Sequence, residues 1–278
     1  MKKTGFFALL AMLLFCGCQS VNTENSFTLA SFNIRCPIDK TPHTWEERRP
    51  RCIAVIEQNQ VDIFGIQEAF HHQLLDLLGD KFAYIGNARD DFKTNGEYSA
   101  ILYRKDRFKL LKGGTFGLSE KPEVPGLCSW GSACPRIATW GLFEDMKTGK
   151  SFIYYNTHLD HISELARVNG IKLLVKHAEE NAKGKPLVIT GDFNAIPNSE
   201  TYATAASLLK DSAQISKTPH VGPQQTFHGY GKSKSKNPID FVFVSEDFNV
   251  LSHRTDDTKF PEGFPSDHYP VITKLLLK

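Results

Sequence analysis

No low-complexity tract, internal repeat or interdomain linker interrupts this sequence. A charge excess is also missing, because the 33 basic and 31 acidic residues are mixed along the chain and the formal net charge is only +2. Without a basic tail or stripe, the charge gives no indication of a nucleic-acid partner. With 278 residues, 41% of them hydrophobic, the chain is long enough to bury a large core. We therefore predict a single globular domain.

Long apolar runs are missing except at the N-terminus. There, Lys2 and Lys3 precede an apolar run over residues 6–15, and small residues follow it. This run is too short to span a membrane, but basic, apolar and small segments in this order are typical of an export signal. We therefore predict that the protein is exported.

The end of this leader, Phe15-Cys16-Gly17-Cys18, resembles the processing site of bacterial lipoproteins. Cleavage before the last cysteine would leave Cys18 to carry a lipid. A freely secreted product is the alternative, although its processing site more often reads Ala-x-Ala. The sequence thus predicts a domain outside the cytoplasm, anchored by lipid to the bacterial cell envelope. Its parts are a signal peptide over 1–18, a tether over 19–26 and a folded domain over 27–278.

Cysteine is sparse in the predicted domain, which contains only Cys36, Cys52, Cys128 and Cys134. No histidine or further cysteine lies at zinc-like spacing around either pair, so a structural role is favoured over metal binding. In an oxidising compartment four cysteines allow three disulfide pairings, and the sequence leaves the choice open. The loop from Cys128 to Cys134 contains small residues and could close on itself.

Short β-rich segments dominate the predicted domain, and helical patterns are few. Eight segments have the alternation or continuous apolar content of strands: 26–34, 63–67, 100–104, 137–144, 152–157, 187–191, 240–245 and 271–277. Three have the three- and four-residue apolar steps of helices: 45–58, 70–78 and 163–182. This mixture predicts two packed sheets with helices on their outer faces.

Polar side chains occur where the predicted strands end. They are Asn33, Glu68, Asn156, His158, Asp192, Asn194, Asp240, Asp267 and His268. Burying such groups is costly unless they are hydrogen-bonded or bind a ligand. Each one alone has an ordinary explanation as a turn-forming amide, a neighbour of a helix cap or a half-buried histidine. Their order along the chain is what indicates a shared site.

Six motifs contain these residues: SFNIR (31–35), IQE (66–68), NTH (156–158), GDFN (191–194), PID (238–240) and SDH (266–268). In this order they resemble the endonuclease/exonuclease/phosphatase family, which includes DNase I-like nucleases, inositol-polyphosphate 5-phosphatases and bacterial sphingomyelinases. The resemblance extends from about Phe27 to the C-terminus. It implies an α/β fold, a four-layer sandwich of two packed mixed β-sheets flanked by helices, which agrees with the segment pattern.

Glu68 is the first candidate metal ligand, because a carboxylate is a hard oxygen ligand of the kind that Mg²⁺ prefers. Mn²⁺ could substitute for Mg²⁺. The resemblance implies that Asn33 is the amide partner of Glu68 in the metal site. Asp267 is a further candidate ligand, although an acidic residue there can also serve only as a hydrogen-bond acceptor.

Asp240 and His268 resemble the Asp-His pair of the family. A carboxylate that accepts one imidazole N–H fixes the tautomer and raises the basicity of the other nitrogen, which can then orient or deprotonate water or contact the phosphate. The resemblance implies that Asp192 lies across from this pair as the alternative base. Asn194 would hold a phosphate oxygen or Asp192 itself.

His158 corresponds to the histidine that DNase I-like members place near the leaving group. Glu97, which precedes a predicted strand, would be its acidic partner, and a surface glutamate in a turn is the alternative. We predict Asn156 and Arg136 as substrate contacts, with a turn-capping amide and a solvated strand-edge arginine as the alternatives.

The resemblance and the residue types together predict a magnesium-dependent hydrolase of phosphate esters, with a phosphodiester as the favoured substrate. Nucleic acid, a lipid headgroup and a sugar phosphate remain open, and duplex DNA is disfavoured because a basic insertion with interleaved aromatic residues is missing. The alternative is a catalytically silent member that only binds a phosphorylated ligand. We expect a monomer whose membrane contact is the lipid on Cys18.

Overall fold

The computed structural model describes residues 23–278 and contains two six-stranded β-sheets that pack face to face. The strands are β1 (Phe27–Asn33), β2 (Ile63–Gln67), β3 (Phe82–Ile85), β4 (Ile101–Arg104), β5 (Phe108–Gly117), β6 (Ile137–Asp145), β7 (Lys150–His158), β8 (Leu187–Asp192), β9 (Lys210–Asp211), β10 (Asp240–Val244), β11 (Phe248–Thr255) and β12 (Val271–Leu277). The helices are α1 (Trp45–Gln58), α2 (His71–Leu78), α3 (Glu164–Ala182), α4 (Glu200–Leu208) and α5 (Ser212–Ile215), and a 3₁₀ turn covers Gly229–Gly231. The predicted fold class, two mixed sheets flanked by helices, is confirmed.

Short polar side chains set the starts of the main helices. Thr44 Oγ1 accepts the backbone N–H of Glu47, and the Glu47 carboxylate accepts the backbone N–H of Thr44, so α1 begins with a capping box. Ser163 and Ser199 cap α3 and α4 in the simpler way. The helix predicted to begin at residue 163 therefore begins one residue later, because Ser163 is its cap.

Strand direction brings the polar strand ends together. The sheet orders are β11-β12-β1-β2-β4-β3 and β5-β6-β7-β8-β10-β9. β1 and β2 are parallel, and so are β7 and β8. These two parallel pairs end on the same side of the sandwich, where Asn33 at the end of β1 donates to Asp192 at the end of β8. β10 runs antiparallel to β8 and therefore begins on that side.

Three apolar layers hold the sandwich together. One fills the space between the sheets, where the Phe27 ring centroid lies 5.3 Å from that of Phe108 and 5.5 Å from that of Phe152. A second lies between the first sheet and α1 with α2, and a third lies between the second sheet and α3 with α4. The continuous cores on both faces of each sheet explain why the central strands are apolar without alternation.

Asn156 belongs to the contact between the sheets and not to the substrate site. It is fully buried, and its Nδ2 donates to the backbone oxygens of Ile66 and Ala100, 2.9 and 3.0 Å away. Its Oδ1 accepts from Gln67 and Thr190. The predicted substrate contact is therefore wrong for this residue, because the fold uses all of its hydrogen-bonding groups. Gly65 faces the Asn156 amide so closely that a Cβ there would collide with it.

The predicted leader and Cys18 lie outside the described residues. Of the predicted tether, residues 23–26 contact the domain, since Lys147 Nζ donates to the Glu24 oxygen at 2.7 Å and Arg107 Nη2 to the Asn25 oxygen at 3.0 Å. These contacts lie at the edge where β1 begins. Within residues 23–278, none of the helices has both the length and the apolar character needed to cross a bilayer.

All four cysteines of the described domain are free thiols. Cys36 and Cys52 are buried, Cys134 is half-buried and Cys128 is exposed. Burial raises the pKa of Cys52 to about 12, which leaves its thiol protonated near neutral pH. The predicted closure of the Cys128 to Cys134 loop is not present in this structure.

Candidate active site

The polar strand ends form one row across the second sheet. His158, the last residue of β7, pairs in register with Asp192, the last residue of β8. Asp192 in turn pairs with Asp240, the first residue of β10. Asn33 and Glu68 approach from the first sheet, at and directly after the ends of β1 and β2. The predicted residues thus meet because two parallel strand pairs end together.

A cleft of about 530 Å³ opens over this row. Its lining includes the predicted Glu68, Glu97, Arg136, His158, Asp192, Asn194, Asp267 and His268. A larger cavity of about 650 Å³ lies near the start of β1, but its lining contains no histidine and none of the predicted residues. The smaller cleft is therefore the candidate active site, because acids, bases and amides converge there.

Asn33 joins the candidate metal ligand Glu68 to the candidate base Asp192. Its Nδ2 lies 3.0 Å from Oε1 of Glu68 and 3.0 Å from Oδ2 of Asp192. Its Oδ1 accepts the backbone N–H of Arg35. Asn33 therefore orients two carboxylates with its nitrogen, while its oxygen is directed to the backbone.

Glu68 is a carboxylate kept in its charged form. Burial would raise its pKa, but the hydrogen bond from Asn33 and the charges of His268 and Arg35 lower it. Asp267 lies on the other side of the Arg35 guanidinium, whose Nη1 is 3.6 Å from Glu68 and whose Nε is 3.8 Å from Asp267. The Arg35 guanidinium gives its side-chain hydrogen bonds to Asp39 and not to Glu68 or Asp267, so these two carboxylates, one of them held ionised, remain able to approach a hard divalent cation.

The predicted Asp240 and His268 pair is present. Nδ1 of His268 lies 2.9 Å from Oδ2 of Asp240, and both side chains are buried. Burial alone would lower the pKa of His268, but the charges of Asp240 and Asp192 and the hydrogen bond to Asp240 raise it to about 10. His268 is therefore a cation at neutral pH, with its Nε2 3.7 Å from Oδ2 of Asp192.

For Asp192, the effects of burial and neighbouring charge favour the protonated, neutral form. Burial and the charge of Asp240 raise its pKa above the usual range, although His268 and hydrogen bonds from Asn194 and Asn33 oppose this. A carboxyl whose pKa is raised toward neutrality is suited to accept a proton from water. Polar atoms of Asp192, Asp240 and His268 lie within 4.8 Å of one another, and the positive charge of His268 compensates the carboxylates of this cluster.

His158 contacts Asn194 and not Glu97. Its Nε2 lies 3.1 Å from Nδ2 of Asn194 and 3.6 Å from Oδ2 of Asp192, while its buried Nδ1 has no partner among residues 23–278. Burial and the charges of Arg136 and Arg89 lower its pKa well below 6.5, so the ring is neutral. The Asn194 backbone N–H donates to Asp192, and its side-chain Nδ2 also donates to the backbone oxygen of Leu159.

The predicted pairing of Glu97 with His158 is wrong. Glu97 instead accepts from Arg89, whose Nη1 lies 2.6 Å from Oε2. The two residues also join through their backbones, where the Arg89 N–H donates to the Glu97 oxygen. This ion pair compensates the negative charge of the Glu97 carboxylate where it lines the cleft.

Arg136 lines the cleft as predicted, but two of its nitrogens are directed to other side chains. Nε lies 3.3 Å from Oδ2 of Asp160, and Nη2 lies 2.8 Å from Nδ1 of His161. Arg35, Arg89 and His161 are cleft residues that the sequence did not reveal as such. Arg35 ends the SFNIR motif and His161 follows NTH closely, whereas no motif marks Arg89.

Comparison with known proteins agrees with this geometry. A profile described as the Endonuclease/Exonuclease/phosphatase family matches residues 30–268. Nocturnin from Drosophila melanogaster is 30% identical over 299 residues, which cover 89% of this chain and 44% of nocturnin. The chain spans about half of the length of the curated relatives that it matches.

Solved structures from two bacteria are similar along almost their whole length. An endonuclease/exonuclease/phosphatase from Bacteroides vulgatus is 36% identical with a TM-score of 0.86, covering 91% of this chain and 99% of that one. A mannosyl-6-phosphatase from Bacteroides thetaiotaomicron is 34% identical with a TM-score of 0.85, covering 90% and 100%. Because the profile spans the catalytic row from β1 to His268, this chain is a member of the endonuclease/exonuclease/phosphatase family.

Proposed function

We propose that this protein is a phosphoesterase that uses a divalent cation, Mg²⁺ or Mn²⁺, to hydrolyse a phosphate ester. The observation that carries the proposal is the convergence of Glu68, Asp192 and the Asp240-His268 pair in one cleft. Phosphoryl transfer needs charge neutralisation, an oriented water and stabilisation of the leaving oxygen, and these residue types supply each of them.

The residues divide these tasks. Glu68 and Asp267 would hold the cation, which would supply charge neutralisation at the phosphate oxygens. His268 donates its Nε2–H to a phosphate oxygen, and Asp192 accepts the proton of the attacking water. His158, which lines the cleft beside Asp192, would donate a hydrogen bond to the leaving oxygen.

A small sugar phosphate is the first substrate class in this proposal. A cleft of about 530 Å³ lies in the range that encloses a single small molecule. The mannosyl-6-phosphatase that is 34% identical supports the same class. Phosphodiesters, which the sequence favoured, are the second class, and Ccr4-type 3′-5′-exoribonuclease subunits at 21–22% identity support them.

A substrate panel tests both classes. We would assay mannose 6-phosphate, glucose 6-phosphate, butyl phosphate, bis-p-nitrophenyl phosphate and oligoadenylate with Mg²⁺, with Mn²⁺ and with EDTA. The proposal expects metal-dependent turnover, fastest on a sugar phosphate, and the loss of that turnover in His268→Ala. Binding of phosphate without turnover of any substrate would instead establish a catalytically silent member.

We further propose that the protein is exported and carries a lipid on Cys18, as the FCGC leader predicts. Cys18→Ala should move the protein from the membrane fraction to the soluble fraction. Mass spectrometry of the mature N-terminus is the direct measurement. Unchanged fractionation without lipid mass would refute the anchor.

A further inference from the structure

A buried ion pair orients a histidine at the rim of the cleft. Asp160 is 1% exposed and Arg136 is 6% exposed, and the Arg136 Nε lies 3.3 Å from Oδ2 of Asp160. The Arg136 Nη2 then lies 2.8 Å from Nδ1 of His161, an exposed residue that lines the cleft. These three residues form a chain of contacts from the core to the cleft.

Backbone groups fix the inner end of this chain. Oδ1 of Asp160 accepts the N–H groups of Ile162 and Ser163, and Oδ2 accepts the N–H of Ala133. Burial would raise the pKa of Asp160, but these hydrogen bonds and the charge of Arg136 lower it. Asp160 is therefore an ionised, fully bonded support for the guanidinium.

The arginine determines which nitrogen of His161 is protonated. A guanidinium has donors and no acceptor, so Nδ1 of His161 must accept the hydrogen bond. The neutral ring then has its proton on Nε2. Nε2 has no hydrogen-bond partner in the part of the chain that the structure describes. The chain of contacts thus ends at the Nε2–H of His161, an oriented hydrogen-bond donor that is available to a ligand in the cleft.

A metal site is the competing explanation, since donor atoms of Cys134, Asp160 and His161 lie within 4.8 Å of one another. Arg136 argues against it. Its guanidinium already donates to two of the three residues, and a cation there would have to displace it and oppose its charge. The cluster is therefore suited to hold a hydrogen-bond donor and not a cation.

We propose that His161 is a specificity-determining residue whose Nε2–H binds a hydroxyl oxygen on the alcohol part of the substrate, with Arg136 and Asp160 as positioning residues. This inference rests on the proposed phosphoesterase function. His158 and His161 line the same cleft, and the phosphate lies over Asp192 in the proposed mechanism. The alcohol part, beside His158, is thus the part of the substrate that His161 can reach. The substrate class is a polyhydroxy phosphate ester, such as a sugar phosphate.

Two replacements of His161 separate recognition from a structural role. The amide oxygen of His161→Asn takes the place of Nδ1 and can still accept from Arg136, but the side chain does not reach the position of Nε2. The amide of His161→Gln reaches that position and keeps a donor for the substrate. We would measure kcat and KM of both variants on mannose 6-phosphate and on butyl phosphate, which lacks hydroxyls.

The expected result is selective. His161→Asn should lower kcat/KM on mannose 6-phosphate by about 10-fold, mostly through KM, and should leave butyl phosphate unchanged. His161→Gln should retain most of the activity on both substrates. Arg136→Lys, which keeps the charge beside Asp160 but loses the fixed Nη2 donor, should show the same selective loss, and its combination with His161→Asn should not add.

Other outcomes overturn the inference. Equal losses on both substrates, or full activity of His161→Asn with loss in His161→Gln, would make His161 a support for Arg136. No effect of any variant on an active enzyme would remove His161 from recognition while leaving the proposed function intact. A wild-type protein that hydrolyses only the phosphodiesters of the substrate panel would refute this inference and leave the proposed function intact, whereas one that hydrolyses no member of the panel would refute both.

Discussion

Oδ2 of Asp240 lies 2.9 Å from Nδ1 of His268, although 28 residues separate the two along the chain. The Asp240 side is set by the pairing of β10 with β8, and the His268 side by the loop that leads into β12. Phe227 fixes that loop through an isolated bridge to His268. Strand pairing and this loop therefore position Asp240 and His268 without a ligand.

His268→Ala and Asp240→Asn should each lower kcat by about 10² to 10⁴-fold, because the first variant removes the imidazole and the second removes the carboxylate that keeps it protonated and oriented. The double variant should lose no more than the worse single variant, since the residues act as one unit. Steady-state kinetics on the best substrate is the measurement. His72→Ala, a change of an exposed histidine on α2, is the control. Additive losses would show that the two residues act separately.

Glu68→Gln should abolish tight binding of Mg²⁺ and lower turnover by at least about 10²-fold while the fold persists, because the amide keeps the size but loses the ligand charge. Calorimetric titration with Mg²⁺ and kinetics over a range of metal concentrations measure the two effects. Glu57→Gln changes an exposed carboxylate on α1 and should bind metal like the wild type. Full wild-type activity in excess EDTA would contradict the metal assignment.

His158→Ala should harm alkyl phosphates far more than p-nitrophenyl phosphate. An alkoxide needs a hydrogen-bond donor as it leaves, whereas nitrophenolate is stable without one. We expect a loss of about 10²-fold on butyl phosphate and less than about 10-fold on the nitrophenyl ester. If both substrates lose equally, His158 binds a phosphate oxygen and not the leaving group.

Asn156→Ala should destabilise the protein by about 2 to 4 kcal/mol, because it leaves the backbone oxygens of Ile66 and Ala100 and the side chains of Gln67 and Thr190 without their partner. Urea denaturation measures the free energy of unfolding. Asn237→Ala, at an exposed position, should change it by less than about 0.5 kcal/mol. A stable Asn156→Ala protein with weakened substrate binding would restore the role predicted from the sequence.

The free energy of unfolding should fall as the pH drops from about 6.5 to 4, and buried His253 should contribute to this. Burial lowers the pKa of His253 from 6.5 to about 4, so in this range the unfolded chain binds a proton that the folded chain excludes. Denaturation curves at several pH values measure the slope. His253→Gln should flatten it even if the variant is less stable at pH 7. An unchanged slope would show that other groups cause the acid sensitivity.

The strands that were not predicted from the sequence are all edge strands. They are β3, β5, β9 and β11, and each lies at an edge of its sheet. An edge strand is paired on one side only, so its sequence need not be continuously apolar. β5 contains exposed lysines and two adjacent glycines, and the alternation of β11 is interrupted by a register shift between Val250 and Ser252. The central strands, buried on both faces, could be predicted because their apolar content is nearly continuous.

The catalytic residues on strands could be predicted for a related reason. Asp192 and His158 are fixed by strand register, so their place in the sequence decides their place in the site. The partners of Glu97 and Arg136 depend on how the long loops fold back. The loop between Arg89 and Glu97 folds back so that the two side chains pair. No motif or residue spacing in the sequence indicates this contact.

The direction of β1 decides what the catalytic cleft faces. Phe27 begins β1 at one end of the sandwich and Asn33 ends it in the cleft, roughly 20 Å away at about 3.3 Å per residue. Lys147 and Arg107 hold residues 24–25 at the first end. A lipid on Cys18 would tie that end to the bilayer, so the mouth of the cleft would point outward. Such an enzyme would draw its substrate from the surrounding solution, and the headgroups of its own membrane would be out of reach.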